Sequence, residues 1–243
     1  MAQANISTTT DRQSSVLVEC GLDNVECDKC NNSGQIVWVD SDHITHAREC
    51  SCMKRRRAIR RLRDSGLRDL VQRYNFDNYQ TPTKDHELLK RKAQEFVACG
   101  AEWFFVCGRP GTGKTHICTA ICNWLLDHDY DIRYMVWRTE AADLKAMVND
   151  RENYSKRMNQ LRNAPVLYVD DLFKGSITAG DVNLAFTILN DRYNGSGKKT
   201  IISTELPLNE ISKIDDAVAG RIAERARGFV LTAPALNWRA KGG

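Results

Sequence analysis

Gly108-Arg109-Pro110-Gly111-Thr112-Gly113-Lys114-Thr115 follows the apolar run Trp103-Phe104-Phe105-Val106-Cys107. After it, Ile117, Ile121, Trp124 and Leu125 recur at helical spacing. The octet satisfies G-x-x-x-x-G-K-[ST], and it sits where that pattern has mechanical meaning, between a buried strand and a helix. Its glycines let the backbone fold tightly enough for consecutive N–H groups to converge on a phosphate. The helix that opens there adds the positive end of its dipole. Lys114 is expected to be solvated without ligand and to reach the β- and γ-phosphates, with the Thr115 hydroxyl on Mg²⁺. The expected ATP-binding set is therefore Gly108, Arg109, Pro110, Gly111, Thr112, Gly113, Lys114, Thr115 and His116.

Such a loop needs a second strand that ends in an acid. Val166-Leu167-Tyr168-Val169-Asp170-Asp171 is that strand, with Asp170 lying 55 positions after Thr115. Asp170 is expected in the magnesium shell and Asp171 beside the attacking water. Standing alone, such a pair reads as a solvated turn or a helix cap. A third polar point is expected on the strand between these two, at Thr204 or else Ser203, against the bland reading of a strand terminus. From Asp85 onward, strands and helices alternate, which argues for an α/β fold on a five-stranded parallel sheet. The expected strands are Trp103–Cys107, Ile132–Trp137, Val166–Asp170, Thr200–Ser203 and Phe229–Leu231. Helices are expected at Asp85–Ala98, Gly113–Asp127, Glu140–Asn149, Tyr154–Leu161, Asp181–Tyr193 and Ala217–Ala226.

Upstream the character changes. Cys27-x-x-Cys30 and Cys50-x-Cys52 are separated by 19 residues, enough thiolates for a closed tetrahedral zinc site. Gln35–Val39 followed by Ser41-Asp42 reads as a hairpin joining the pairs, and His43 or His46 could replace a cysteine. A redox pair and uncommitted thiols are the competing readings; a redox C-x-x-C opens a helix beside a strand, which this one does not. Lys54, Arg55, Arg56, Arg57, Arg60, Arg61 and Arg63 then follow without an intervening acid. Those 7 charges exceed the whole-chain net of +4, so the rest of the chain sums to 4 − 7 = −3 and the basic excess is local. The run suits phosphate neutralisation, or a solvated helix face with a modest stripe of Met53, Ile59 and Leu62.

A hydrophobic fraction of 42% with 27% charged residues excludes collagen-like and wholly disordered classes. The longest apolar runs fall far short of the roughly 20 residues of a membrane span. The first fifteen residues are polar, without the apolar core of a signal peptide. Nine cysteines without an export signal fit a reduced, cytoplasmic compartment. The expected organisation is a disordered tail at 1–18, a zinc module with its basic helix at 19–63, a linker at 64–84 and an ATPase domain at 85–243.

GRPGTGKT, VLYVDD, TIISTEL and AGRIAERARGF, in that order, resemble the AAA+ ATPases. More narrowly, the chain is similar to helicase loaders of the DnaC/DnaI type in bacteria and phages. That resemblance extends through the paired cysteines, the basic helix, SGL and FDNY, from Cys27 to Arg239. It implies an AAA+ core without the C-terminal helical lid. It also implies Mg²⁺-dependent ATP hydrolysis, self-association in a spiral, and loading of a ring-shaped DnaB-family replicative helicase onto single-stranded DNA. The N-terminal module, with its structural zinc and basic helix, would grip the helicase. Arg221, in the G-R-I position, is implied as the finger reaching a neighbour's site, with Arg225 as support; a surface ion pair with Glu224 is the plain alternative. Two departures stand out: Asp171 where the superfamily usually has Glu, and Glu205 where related loaders often carry Asn. A transposase helper with the same core, and an ATP-binding switch with little hydrolysis, are the alternatives.

Overall fold

The computed structural model describes residues 26–64 and 68–236. The expected tail at 1–18, residues 65–67 and Arg239 lie outside the described residues, as does the side chain of Leu62. The chain divides into two compact units, one ending at Arg60 and the other beginning at Arg61.

In the first unit, β1 (Gln35–Val39) pairs antiparallel with β2 (Thr45–Glu49) in the register Gln35↔Glu49 to Val39↔Thr45. The turn between them is tied by Asp40 Oδ1, which accepts from the backbone N–H groups of Asp42 and Ile44. Helix α1 (Cys52–Asp64) follows. Both strands are largely exposed, and among the described residues of this unit the buried apolar ones are Cys30 and Cys50. So little apolar surface cannot hold a fold without another source of free energy.

The second unit opens with α2 (Arg68–Arg73) and α3 (Lys84–Ala98), whose first turn is capped by the Thr83 side chain. There follow β3 (Trp103–Cys107), α4 (Lys114–Asp127), β4 (Ile132–Val136), α5 (Trp137–Ala146), α6 (Arg151–Asn163) and β5 (Val166–Leu172). The chain continues through α7 (Ala179–Asn194), β6 (Lys199–Thr204), α8 (Leu208–Ile214), α9 (Asp216–Arg225) and β7 (Val230–Thr232). The five strands form one parallel sheet in the order β4-β5-β6-β3-β7. Every residue of β3 and β6 is buried, which is why WFFVC reads as a continuous apolar run rather than an alternation. On one face Trp103, Phe105, Val169 and Ile202 pack with side chains of α5 to α9. On the other, Phe104 meets Phe96 of α3, with ring centroids 5.4 Å apart.

The parallel five-stranded α/β sheet expected from the sequence is present, and β6 does lie between the loop strand and the acidic strand. Two expectations need correction. Trp137 is the first residue of α5 and not the last of β4, so this helix starts before the expected Glu140, and it ends at Ala146 rather than near Asn149. An apolar run cannot by itself separate a strand end from a helix start; Trp137 is buried edge-on to Phe173, with ring centroids 5.5 Å apart. Helix α8, like α2 inside the expected linker, is not among the helices expected. With seven residues, of which Ile211 is buried, it has little periodicity to display.

Candidate nucleotide and metal sites

The loop from Gly108 to Thr115 joins the C-terminal end of β3 to α4. Gly108 has φ +151, and a Cβ there would lie 3.1 Å from the Ala233 Cβ. Gly113 holds the helix N-cap at φ +83, a left-handed position without a side-chain cap. The Thr112 hydroxyl donates to the Arg109 carbonyl at 2.8 Å. Lys114 is not solvated, contrary to expectation. It is 6% exposed, and its ammonium donates to the Gly108 and Arg109 carbonyls at 2.8 and 2.9 Å. Burial pulls its pKa down, opposed by the carboxylates of Asp171, Glu205 and Asp170. The lysine is thus folded back onto its own loop, adjacent to where a phosphate would bind.

On β5 the pairing with β6 slips between Val169 and Leu172, and Asp171 takes φ +57. In a regular strand, Asp170 and Asp171 would point to opposite faces. The bulge re-aims one of them, and both line the same cleft as the loop. Asp170 is buried and accepts three hydroxyl hydrogen bonds. Tyr134 donates to Oδ2 at 2.8 Å, Tyr168 to Oδ1 at 2.8 Å, and Ser203 also to Oδ1. The Asp171 amide donates to the Ser203 Oγ at 3.1 Å. Ser203 is therefore the hydroxyl that β6 brings to the acids. Thr204 is fully buried, donates to the Leu172 carbonyl at 2.7 Å and accepts from the Leu206 amide, so its hydroxyl is occupied away from the cleft. Glu205, one residue on, does line the cleft, and Lys174 stands between it and Asp171.

The cleft has a volume of about 510 Å³. Its far wall comes from Leu70, Tyr74, Asn78, Tyr79 and Gln80, inside the stretch expected to be a linker. His116 explains how that stretch is held. Its ring stacks on Tyr74 at 4.4 Å, meets Tyr79 edge-on at 5.0 Å, and hydrogen-bonds to the Asn78 side chain at 2.9 Å through Nε2. The Asn123 amide adds a bond to the Val71 carbonyl at 3.0 Å. His116 thus secures the wall, while the apolar and amide groups facing the loop suit a purine base. In the sequence this stretch enters only as part of the linker and, as FDNY, of the family resemblance; its place in the cleft depends on His116, which the spacing does not reveal.

Arg221 and Arg225 stand apart from this chain's own cleft. Arg221 donates to Asn190 Oδ1 at 3.0 Å and to the Ala217 carbonyl at 2.9 Å, and its guanidinium lies 4.7 Å over the Phe186 ring. Arg225 pairs with Glu102 at 2.7 Å and also donates to the Tyr193 carbonyl. Glu224 accepts from the Tyr193 hydroxyl at 2.8 Å, and the ion pair that forms on this helix is Arg225 with Glu102 rather than one with Glu224.

In the first unit, Cys27, Cys30, Cys50 and Cys52 gather with all four sulfurs within 4.8 Å of one another. Cys27–Cys50 and Cys30–Cys52 are separated by 3.7 and 3.6 Å. A tetrahedron of sulfurs about 2.3 Å from zinc has edges of about 3.8 Å, so the cage fits that ion. Burial opposes ionisation of Cys50, but the Cys52 amide and the neighbouring thiols bring it down to about 7. Burial pushes Cys52 up to about 12, with Arg56 opposing. Neither expected histidine substitute joins the cage: His46 pairs with Asp40 at 2.5 Å and stacks on Trp38, and His43 sits in the hairpin turn at φ +61. The basic helix is not one uniform face. Arg56 is buried and donates to Asn32 Oδ1 at 3.1 Å, while Arg57 pairs with Glu49.

Residues 30–226 match the family described as IstB-like ATP binding protein. Uncharacterized protein YqaM of Bacillus subtilis (strain 168) is 30% identical over 216 residues, 80% of this chain and 64% of YqaM. Replicative helicase loader DnaC of Escherichia coli (strain K12) is 27% identical over 188 residues, covering 74% of this chain and 72% of DnaC. The crystal structure of DnaI superposes with a TM-score of 0.57 at 20% identity, over 68% of this chain and 92% of that one. Replication initiator DnaA bound to AMPPCP and single-stranded DNA superposes with a TM-score of 0.57 at 21% identity, over 68% of this chain and 50% of that one. The AAA+ fold expected from the sequence is the one found, and among the described residues no helix is long and apolar enough to cross a membrane.

Proposed function

Because the chain belongs to the IstB-like ATP-binding family, of the DnaC loader type, we propose that it is an AAA+ ATPase that loads a hexameric DnaB-family replicative helicase onto single-stranded DNA. The similarity to DnaC across three quarters of this chain carries the reading. The loop, the bulged acidic strand and the aromatic wall supply the parts of an ATP site. The loop amides and Lys114 would hold the β- and γ-phosphates, and the wall from Tyr74 to Gln80 would take the base. Thr115 and Asp170 would hold magnesium, which neutralises phosphate charge. Asp171 would orient or deprotonate the attacking water. The cysteine cage would hold one structural zinc, closed to chemistry because all four ligand positions are filled by protein. The zinc module and its basic helix would grip the helicase. The ATPase unit would self-associate and contact DNA in the cytoplasm.

The match to the IstB-like family keeps a second reading in play, an ATPase helper of a transposase. The paired cysteines weigh against it. Pull-down with DnaB-family helicases, with ATP turnover measured with and without single-stranded DNA, tests the choice. Co-elution with the helicase and DNA-stimulated turnover are expected. Recovery of no ring helicase would move the assignment to the transposase helper, and tight ATP binding without turnover would make the chain a switch.

A further inference from the structure

We propose that Lys174 is the cation that reads the γ-phosphate in this cleft, held ready by Asp171 and Glu205. The inference rests on the ATP-binding reading above and deepens it. The Lys174 ammonium lies 2.7 Å from Asp171 Oδ2 and 3.1 Å from Glu205 Oε1, and all three side chains line the cleft beside Gly111–Thr115. An ammonium has three N–H donors. One is given to Asp171 in a hydrogen bond, Glu205 lies alongside as an ion-pair partner, and the side chain is 42% exposed, which leaves donor capacity for a ligand.

The charge balance of the cleft requires such a group. Asp170, Asp171 and Glu205 bring three negative charges to the lining, against Lys114 and Lys174. Without Lys174, a triphosphate would meet three carboxylates and one lysine. Magnesium would offset Asp170 but leave Asp171 and Glu205 facing the terminal phosphate. Glu205 is the acute case, because a carboxylate at that position repels the group it should recognise. With Lys174 bound to it, the pair presents an N–H donor in place of a negative charge. The same lysine fixes the orientation of Asp171.

The backbone commits the lysine to this position. Phe173 holds φ +60, a costly conformation for a bulky residue, and its ring is buried edge-on to Trp137. The Lys174 amide donates to the Asp171 carbonyl at 3.0 Å, which closes the turn. An ordinary surface ion pair three residues apart contributes little and needs no such turn.

The test measures binding of a methylene-bridged ATP analogue and of ADP, each with Mg²⁺, to the full chain and its variants. Lys174→Met should weaken the analogue about 10- to 100-fold, the loss expected for a hydrogen bond to a charged group, and change ADP by less than about twofold. Lys174→Arg should keep most of the analogue affinity. Equal affinities in parent and Lys174→Met would overturn the proposal, as would equal losses for both nucleotides. Faster ATP turnover with unchanged affinity would show instead that the lysine restrains Asp171. Lys114→Ala separates the two levels of inference: a parent that binds neither nucleotide ends the ATP-binding reading itself, and the proposal with it. A parent that binds ATP in a Lys114-dependent way, with no triphosphate preference due to Lys174, ends the proposal alone.

Discussion

Asp170 shows how much of a site a motif leaves unsaid. VLYVDD marks the acid, but the three hydroxyls that hold it come from β4, from β5 two residues earlier, and from β6, and only the fold brings them together. Tyr134 is buried with its hydroxyl on the carboxylate, and both burial and that negative charge raise its pKa. Tyr134→Phe should therefore lower stability by about 1.5–3 kcal/mol, the range for a hydrogen bond to a charged group, as read from urea unfolding. A change below about 0.5 kcal/mol would mean that water replaces the hydroxyl at no cost. Lys114→Ala should abolish tight ATP binding, seen by titration. It should cost less than about 2 kcal/mol of stability, because losing the bonds to Gly108 and Arg109 is offset by relief of a buried charge. The loop residues were legible because their spacing is the mechanism. Thr204 differs from its expected role by one position: strand alternation puts Ser203 on the two acids and Glu205 in the cleft lining.

At the scale of elements, the strands were legible wherever both faces are buried, and the wall of the cleft was not. Tyr74 to Gln80 show no periodicity, and their role depends on His116, some forty residues away. The same limit hid Arg192, which reads as an ordinary helical arginine in NDRYN. It is fully buried, donating to the carbonyls of Leu161, Arg162 and Ala164 at the end of α6, to Lys199, and to the Thr200 hydroxyl. Arg192→Met should cost about 3 kcal/mol or more by leaving buried carbonyls without donors. The cysteine hairpin is the opposite case, since its spacing announced it. With Cys30 and Cys50 as its buried apolar residues among those described, the unit should depend on metal for its fold. Metal analysis should find about one zinc per chain, and Cys27→Ser with Cys30→Ser should remove it. Chelation should abolish helicase capture while ATP binding persists. A metal-free preparation that still captured helicase would defeat the assignment.

At the scale of the whole molecule, the two arginines of α9 part company. Arg225 is committed to Glu102 and to the Tyr193 carbonyl, so Arg225→Ala should act mainly on stability. Arg221 has neutral partners, Asn190, the Ala217 carbonyl and the Phe186 ring; among the described residues no carboxylate neutralises it. A guanidinium with its charge uncompensated, away from its own chain's cleft, suits a group that completes a site in another copy. Such a finger stabilises charge developing on the γ-phosphate and elsewhere contributes about 10³–10⁵ in rate. Arg221→Ala should accordingly leave ATP affinity near that of the parent and cut DNA-stimulated turnover by at least about 10²-fold. Mixing Arg221→Ala subunits with Lys114→Ala subunits should restore part of the turnover, because one mixed interface joins an intact loop to an intact finger. A merely structural arginine would lower stability and give no such rescue. Turnover at the parent rate in Arg221→Ala, or mixtures no more active than the sum of their parts, would remove this residue from the shared site.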